Sequence, residues 1–199
     1  MNILHLTSSP RGEASVSIKL GNAIVEKLRS SSNEPSSVKT RNLASNPFPH
    51  LEEVHLNSFF TPVENHTPEQ AAAVKHSDQA IAEIREANVI VIGVPMYNFG
   101  IHSTLKAWID HIARAGQTFK YTDKGPVGLI ENKKVYLAIA TGGIYSQGTM
   151  KAFDFTEPYL RAVFGLLGMS DIIAFRAEGI NLPTVGEKGL IDAIEGISL

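Results

Sequence analysis

The sequence predicts an α/β fold in which a five-stranded parallel sheet carries helices on both faces. Short apolar runs rich in β-branched residues are nearly continuous over residues 3–6, 89–94, 135–140 and 172–175. Such runs are typical of parallel strands buried on both faces. Segments with helical periodicity lie between them, and this alternation of strand and helix favours a parallel sheet covered on both sides.

The remaining elements follow from periodicity. Residues 38–43 alternate in character and predict a half-exposed edge strand. Two stretches without clear periodicity, residues 44–67 and 125–128, are expected to be loops. Helices are predicted from residues that share one face: Gly21, Ile24, Val25 and Leu28; Ala73, Ala80, Ile81 and Ile84; Ile101, Leu105, Trp108, Ile109 and Ile112; Ala162, Val163, Leu166 and Leu167; and Leu190, Ile194 and Ile197.

Length and charge restrict the classes of protein that fit. The chain has 199 residues, which suits a single domain over residues 1–199. Its formal net charge of −2, without a basic stripe, argues against nucleic acid or an anionic membrane as the main partner. No apolar run approaches the roughly 18 residues of a membrane-spanning helix. Residues 1–7 do not resemble a signal peptide, so the cytoplasm is the expected location.

Residue usage also restricts the chemistry. The sequence contains no cysteine, which excludes disulfides, thiolate nucleophiles and iron–sulfur clusters. Its seven histidines show none of the spacings typical of metal sites, so no metal is expected.

The loop after the first strand, residues 8–17, is a candidate phosphate site. It has neither a Gly-x-Gly-x-x-Gly nor a Gly-Lys-Ser/Thr motif, which excludes a dinucleotide fingerprint and a Walker loop. It offers Ser9, Ser15 and Ser17 around a predicted helix start. Hydroxyls and free helix N–H groups together suit a phosphate monoester. The alternative is that these serines only cap the helix.

Two further loops should lie beside it, since ligands of open α/β sheets bind beyond the carboxyl ends of the strands. Residues 95–100 supply two aromatics and Asn98 directly after a buried strand, and such walls suit a flat heterocycle. The alternative is that Met96 and Tyr97 belong to the core. Gly142 and Gly143 follow the 135–140 strand, where paired glycines allow close backbone approach and leave N–H groups free. The alternative is a plain turn.

At these loops the chain resembles the FMN-dependent NADH-azoreductases, relatives of the flavodoxin-like quinone reductases. The resemblance extends over essentially the whole chain. Its most specific parts are residues 95–99 (Pro-Met-Tyr-Asn-Phe) followed by Leu105-Lys106, and residues 113–116 (Ala-Arg-Ala-Gly) with Thr118-Phe119 and Tyr121. The Gly142-Gly143-Ile144 segment adds to it.

The resemblance implies a flavodoxin-like fold, bound FMN, a homodimer and no catalytic side chain. It implies that the FMN phosphate contacts Ser9, Ser15, Val16 and Ser17, and that the isoalloxazine contacts Met96, Tyr97, Asn98, Phe99, Ala140, Thr141, Gly142 and Gly143. The chain departs from the family pattern at Ala140, where many members have serine, and at His102, where many have proline.

The implied reaction is ping-pong transfer of two electrons, through the flavin, from NADH or NADPH to quinones or azo compounds. One alternative is a flavodoxin-type electron carrier, although such carriers are usually strongly acidic. Another is a regulatory flavin-binding protein of similar fold. We further expect Phe60 and Tyr121 to wall the acceptor pocket, across the dimer interface, since exposed aromatics otherwise leave apolar area in water. The alternative is that these aromatics anchor their loops to the core.

Overall fold

A parallel sheet of five strands forms the centre of the structure, a computed structural model that describes residues 1–33 and 35–199. The strands in chain order are β1 (Asn2–Thr7), β2 (Ser37–Asn42), β3 (Val89–Pro95), β4 (Phe119–Thr122), β5 (Gly125–Gly128), β6 (Lys134–Ala140) and β7 (Asp171–Ala177). The sheet order is β2-β1-β3-β6-β7, while β4 and β5 form a separate antiparallel hairpin. The chain first builds outward from β1 to β2 and then returns to β3, so the strand order reverses between β1 and β3. This confirms the predicted five-stranded parallel sheet.

Helices cover both faces of the sheet, as predicted. They are α1 (Val16–Ser31), α2 (Glu53–Phe60), α3 (Pro68–Glu86), α4 (Ser103–Ile112), α5 (Glu157–Leu167) and α6 (Lys188–Glu195). On β1, Ile3 contributes to the core beneath α1 and α6, whereas Leu4 contributes to the core beneath α3, α4 and α5. Two hydrophobic cores therefore form, one on each face, because neighbouring side chains of a strand point to opposite faces.

Two stretches that were expected to be loops contain regular structure. Within residues 44–67, α2 forms behind a capping box in which Glu52 and His55 bond each other's backbone N–H groups. The common capping box has Ser or Thr followed by Glu or Gln, so this pairing gives little signal in the sequence. Residues 125–128 form β5, which pairs with β4. Hairpin pairing stabilises β5 despite its glycines and proline, which argue against a strand locally.

Burial departs from the predictions in α5 and at the sheet edges. In α5, Leu160, Phe164 and Leu167 are buried, Val163 and Leu166 pack partly buried against the core, and Ala162 is exposed, so the predicted apolar face was wrong at Ala162. Phe164 sets the rotation of α5 about its axis by packing on Trp108, with ring centroids 6.4 Å apart. The β2 strand is an edge strand, as predicted, but is mostly exposed. The β7 strand is only half-buried because it forms the opposite edge.

Within the described residues, no helix is both long and apolar enough to cross a membrane. The same residues contain no group of three or more His, Cys, Asp or Glu side chains arranged to hold a metal ion.

Candidate functional site

A cleft of about 280 Å³ opens at the carboxyl ends of β1, β3 and β6. It lies where the strand order reverses, which is the usual ligand position in such sheets. Its lining contains Ser9, Arg11, Ser15, Val16, Ser17, Pro95, Met96, Tyr97, Ala140, Thr141, Gly142, Ile180 and Asn181. A second cavity of about 340 Å³ continues it and is lined by Met96, Asn98, Phe99, Gly142, Gly143, Tyr145 and Asn181. The fold therefore brings every FMN-contacting candidate of the sequence to one continuous cleft.

The first turn of α1 forms one end of the cleft. The hydroxyls of Ser15 and Ser17 lie 3.1 Å apart, and both side chains are buried. Ser15 occupies the N-cap position, yet its side chain makes no capping hydrogen bond. Among the described residues, no acceptor meets the N–H groups of Val16 and Ser17. Free N–H groups, hydroxyls and the positive end of the helix dipole together create an anion site.

The preceding loop adds a third hydroxyl and a positive charge. Ser9 is buried, and its Oγ accepts a hydrogen bond from the Arg11 N–H at 3.3 Å. Arg11 itself lines the cleft. The neighbouring Ser8 instead donates to the Gly93 carbonyl at 2.9 Å and so anchors the loop to β3. Sequence reasoning missed Arg11, although a cation beside three serines was a usable signal for a phosphate.

A strained turn after β3 forms the other wall. Tyr97 and Gly100 exchange backbone hydrogen bonds of 2.9 and 3.0 Å, which closes a two-residue turn. Within it Asn98 has φ 49° and Phe99 has φ 70°. Asn tolerates this left-handed region, whereas Phe there costs on the order of 1–3 kcal/mol and is seen mainly where function requires the geometry. The turn presents the Phe99 ring to the open end of the cleft.

The Gly142-Gly143 segment closes the cleft from the β6 side. The Gly142 carbonyl accepts from the Asn181 N–H at 3.0 Å, and the Gly143 carbonyl accepts from Gly179 at 3.0 Å. The N–H groups of Gly142 and Gly143 meet no acceptor within the described part of the chain. A Cβ at residue 142 would lie only 2.5 Å from Asn181 Nδ2, so a larger residue there would push the Asn181 amide aside.

Asn181 and Ile180 lie in the loop after β7 and also line the cleft. Sequence reasoning considered only the loops after β1, β3 and β6 and therefore missed them. The rule that ligands lie at carboxyl ends of parallel strands applies equally to β7 and would have found both residues.

The two departures from the family pattern have visible consequences. Ala140 supplies no hydroxyl, but its carbonyl accepts the Met96 N–H at 2.9 Å and so ties the two loops together. His102 is the N-cap of α4, and its Nδ1 accepts the Thr104 N–H at 3.3 Å. Burial lowers the pKa of His102, which favours the neutral ring that this capping bond requires. The histidine thus fixes the helix start by a hydrogen bond.

The two residues expected to wall the acceptor pocket lie away from the cleft of this chain. Phe60 is 78% exposed at the end of α2, and Tyr121 is 76% exposed on β4. The adjacent Phe59, in contrast, packs inward beneath the Arg114 guanidinium at 4.6 Å. The Phe60 and Tyr121 side chains are thus largely exposed in one chain, although the Tyr121 ring packs edge-on against the buried Phe119 ring, with centroids 5.4 Å apart.

The residues that line the cleft fit FMN because they supply both free donors and apolar walls. Donors without acceptors cluster at the α1 end, where a monophosphate needs them. Donors without acceptors also occur at Gly142 and Gly143, opposite the apolar walls of Met96 and Phe99, and a flat ring with a polar edge needs both.

Comparisons with known proteins agree with this fit. A family model described as a flavodoxin-like fold matches residues 1–197. An FMN-dependent NADH:quinone oxidoreductase of Herminiimonas arsenicoxydans is 48% identical over 192 residues, which cover 96% of this chain and 92% of that protein. An FMN-dependent NADH:quinone oxidoreductase of Burkholderia lata is 47% identical over 197 residues, which cover 98% of each protein.

Solved structures of related proteins are also similar to this chain. The crystal structure of an azoreductase from Bacillus anthracis has a TM-score of 0.90 at 31% identity and covers 98% of this chain and 95% of its own. An FMN-dependent NADH-azoreductase from the same species, in complex with FMN, has a TM-score of 0.85 at 26% identity, with 98% and 97% covered. The resemblance inferred from the sequence is confirmed. This chain belongs to the family of flavodoxin-like fold that includes the FMN-dependent NADH:quinone oxidoreductases.

Proposed function

We propose that this protein binds FMN and transfers electrons from NADH to quinones and aromatic azo compounds. The observation that carries this proposal is the cleft itself, where unpaired donors of α1 face an apolar, strained turn across a space that suits a flavin mononucleotide. The similarity to FMN-dependent NADH:quinone oxidoreductases supports the donor and the acceptor class.

In this proposal the α1 end holds the phosphate. The buried hydroxyls of Ser9, Ser15 and Ser17 and the N–H groups of Val16 and Ser17 donate to its oxygens, and Arg11 contributes the positive charge. The donors of Ser15, Val16 and Ser17 lie at the start of a sixteen-residue helix, so they are rigidly oriented before the ligand arrives. Prior orientation lowers the entropy cost of binding.

The ring would lie between the turn after β3 and the Gly142-Gly143 segment. Met96, Tyr97 and Phe99 exclude water from one side, and the free N–H groups of Gly142 and Gly143 donate to the polar edge of the ring. Oriented N–H donors of this kind stabilise negative charge that develops on a bound group. Bound FMN supplies two-electron chemistry in ping-pong order, while the chain binds, orients and shields it.

We also propose that the protein is a homodimer in the cytoplasm, with Phe60 and Tyr121 reaching the acceptor pocket of the partner. Both side chains are largely exposed in one chain. Burying their rings in an interface would be favourable by about 25 cal/mol per Å² of apolar surface, which amounts to a few kcal/mol at most. Sedimentation at micromolar concentration tests this: a dimer is expected, and a protein that sediments only as a monomer would contradict it.

The spectrum of the purified protein tests the cofactor. We expect a yellow protein whose released cofactor co-elutes with FMN on chromatography. Anaerobic titration with NADH should bleach the visible band, and steady-state NADH oxidation should continue when menadione is added. Release of FAD, or no flavin affinity, would contradict the proposed site. Bleaching without turnover on menadione would indicate an electron carrier, not an enzyme.

A further inference from the structure

Residues 145–155, which we call the strap, form the outer wall of the cleft. Tyr145 lines the cavity beside Phe99, with ring centroids 6.2 Å apart, and the Phe153 ring lies 5.5 Å from that of Phe99. The Phe155 N–H donates to the Phe99 carbonyl at 3.0 Å. The strap therefore forms the surroundings of Phe99, the strained residue at the open end of the cleft.

Carboxylates hold both ends of the strap. At its start, Glu178 Oε1 accepts the N–H groups of Tyr145 and Ser146 at 2.9 and 3.0 Å. At its end, Asp154 Oδ1 accepts the Thr156 N–H at 2.9 Å, where α5 begins. These bonds fix the backbone of the strap at two points that are separated by a short 3₁₀ helix.

Arg176, on β7, links these carboxylates to one another. Its Nη2 lies 2.6 Å from Asp154, its Nη1 lies 2.5 Å from Glu157, and its Nε lies 3.3 Å from Glu178. The side chains are only 14% exposed for Arg176, 9% for Asp154 and 13% for Glu178. Without this cation, largely buried carboxylates would repel one another, and movement of the strap into solvent would relieve that repulsion.

We propose that Arg176 is a positioning residue that sets the acceptor selectivity of the cleft by holding the strap against Phe99. The inference rests on the proposed function, in which acceptors enter at this open end. An acceptor with two aromatic rings reaches beyond the cleft and packs on Phe99, Tyr145 and Phe153. A single-ring quinone is enclosed by the inner walls and makes little contact with the strap.

The test compares Arg176→Met with Arg161→Met. Arg161 bonds the same Glu157 at 2.8 Å, but it is 43% exposed and has no bond to Asp154 or Glu178, so it is a matched control for lost charge. With NADH saturating, Arg176→Met should raise KM for a two-ring azo dye about tenfold and KM for benzoquinone less than about threefold, with kcat of both nearly unchanged. Arg161→Met should change neither.

Trypsin provides a readout that needs no activity, because Lys151 is an exposed cleavage site within the strap. Cleavage after Lys151 should be faster in Arg176→Met than in the wild type or Arg161→Met. If Arg176→Met does not fold, Glu178→Ala removes the bonds to Tyr145 and Ser146 while Arg176 keeps its other partners, and it should shift KM for the dye and tryptic cleavage in the same direction by a smaller factor.

Several outcomes would overturn the proposal. An equal rise of KM for both acceptors would indicate a general structural effect, and unchanged cleavage with an unchanged KM ratio would show that the strap does not depend on Arg176. A wild-type protein that reduces neither acceptor would overturn the proposed function and the selectivity with it. In that case faster cleavage of Arg176→Met would still show that Arg176 anchors the strap, so the two failures are distinguishable.

Discussion

The hydroxyl oxygens of Ser15 and Ser17 lie 3.1 Å apart, buried at the start of α1, and neither caps the helix. Since capping would use these hydroxyls to satisfy the free N–H groups of the first turn, their mutual contact leaves both kinds of donor available to a ligand. This relationship makes the first turn of α1 the feature of the cleft that most specifically indicates an anion site.

Replacing both serines with aspartate should weaken FMN binding severely. Two carboxylates would face the phosphate in a confined site, where like charges repel by several kcal/mol, so we expect the Kd to rise by about a hundredfold or more. Flavin fluorescence titration of the apoprotein measures it. Ser30→Asp with Ser170→Asp adds the same charge at exposed positions and should leave the Kd unchanged. If the Kd of Ser15→Asp/Ser17→Asp stays within about threefold of wild type, the phosphate must bind elsewhere.

Gly142→Ala should lower FMN affinity about tenfold, or about 1.4 kcal/mol. The added Cβ would lie 2.5 Å from Asn181 Nδ2, and the amide would be displaced into the cleft that it lines. Combining Gly142→Ala with Asn181→Ala removes that collision and should recover most of the affinity. Gly165→Ala, on α5, meets nothing within 4 Å and should leave FMN affinity intact. Failure of the double substitution to recover binding would contradict this steric explanation.

Acid should destabilise the fold through His5. Burial lowers its pKa from 6.5 to about 4, so the unfolded chain binds a proton between these pH values while the folded chain does not. The contribution of His5 to stability is therefore complete above pH 6.5 and is lost as the pH drops to about 4, by about 3 kcal/mol in total. Urea denaturation of His5→Leu should show a smaller loss over this range, whereas exposed His50→Gln should behave like wild type. Identical pH profiles for His5→Leu and wild type would contradict this.

Phe60→Ala should change the ratio of rates for bulky azo dyes and small quinones while FMN content stays full. The ring is 78% exposed in one chain, so its loss costs little stability and its effect would come through the partner's acceptor pocket. Ile191→Ala is a control, since it removes another exposed apolar side chain from α6, on the other face of the sheet. An unchanged ratio, or a loss of FMN together with folding, would show that Phe60 does not contact the acceptor.

The predictable part of the structure follows from local patterns. The continuous apolar runs at residues 89–94 and 135–140 identified β3 and β6, because burial on both faces leaves no place for polar residues. The α2 helix was missed because its capping box pairs Glu52 with His55 and its apolar pattern is short. Ala162 was misplaced because the bulky Phe164, packed on Trp108, determines how α5 rotates.

By itself the sequence determined the parallel sheet, five of the six described helices, the family and the residues of the loops after β1, β3 and β6, since apolar periodicity and loop composition are local properties of the chain. The tertiary structure alone decided that Ser15 leaves its helix uncapped, that the Asn181 amide lies against Gly142, and that Arg176 joins Asp154, Glu157 and Glu178. These relationships join residues distant in sequence or depend on a side-chain rotamer. Their distances are set by how helices and strands pack, which no local pattern of residues encodes.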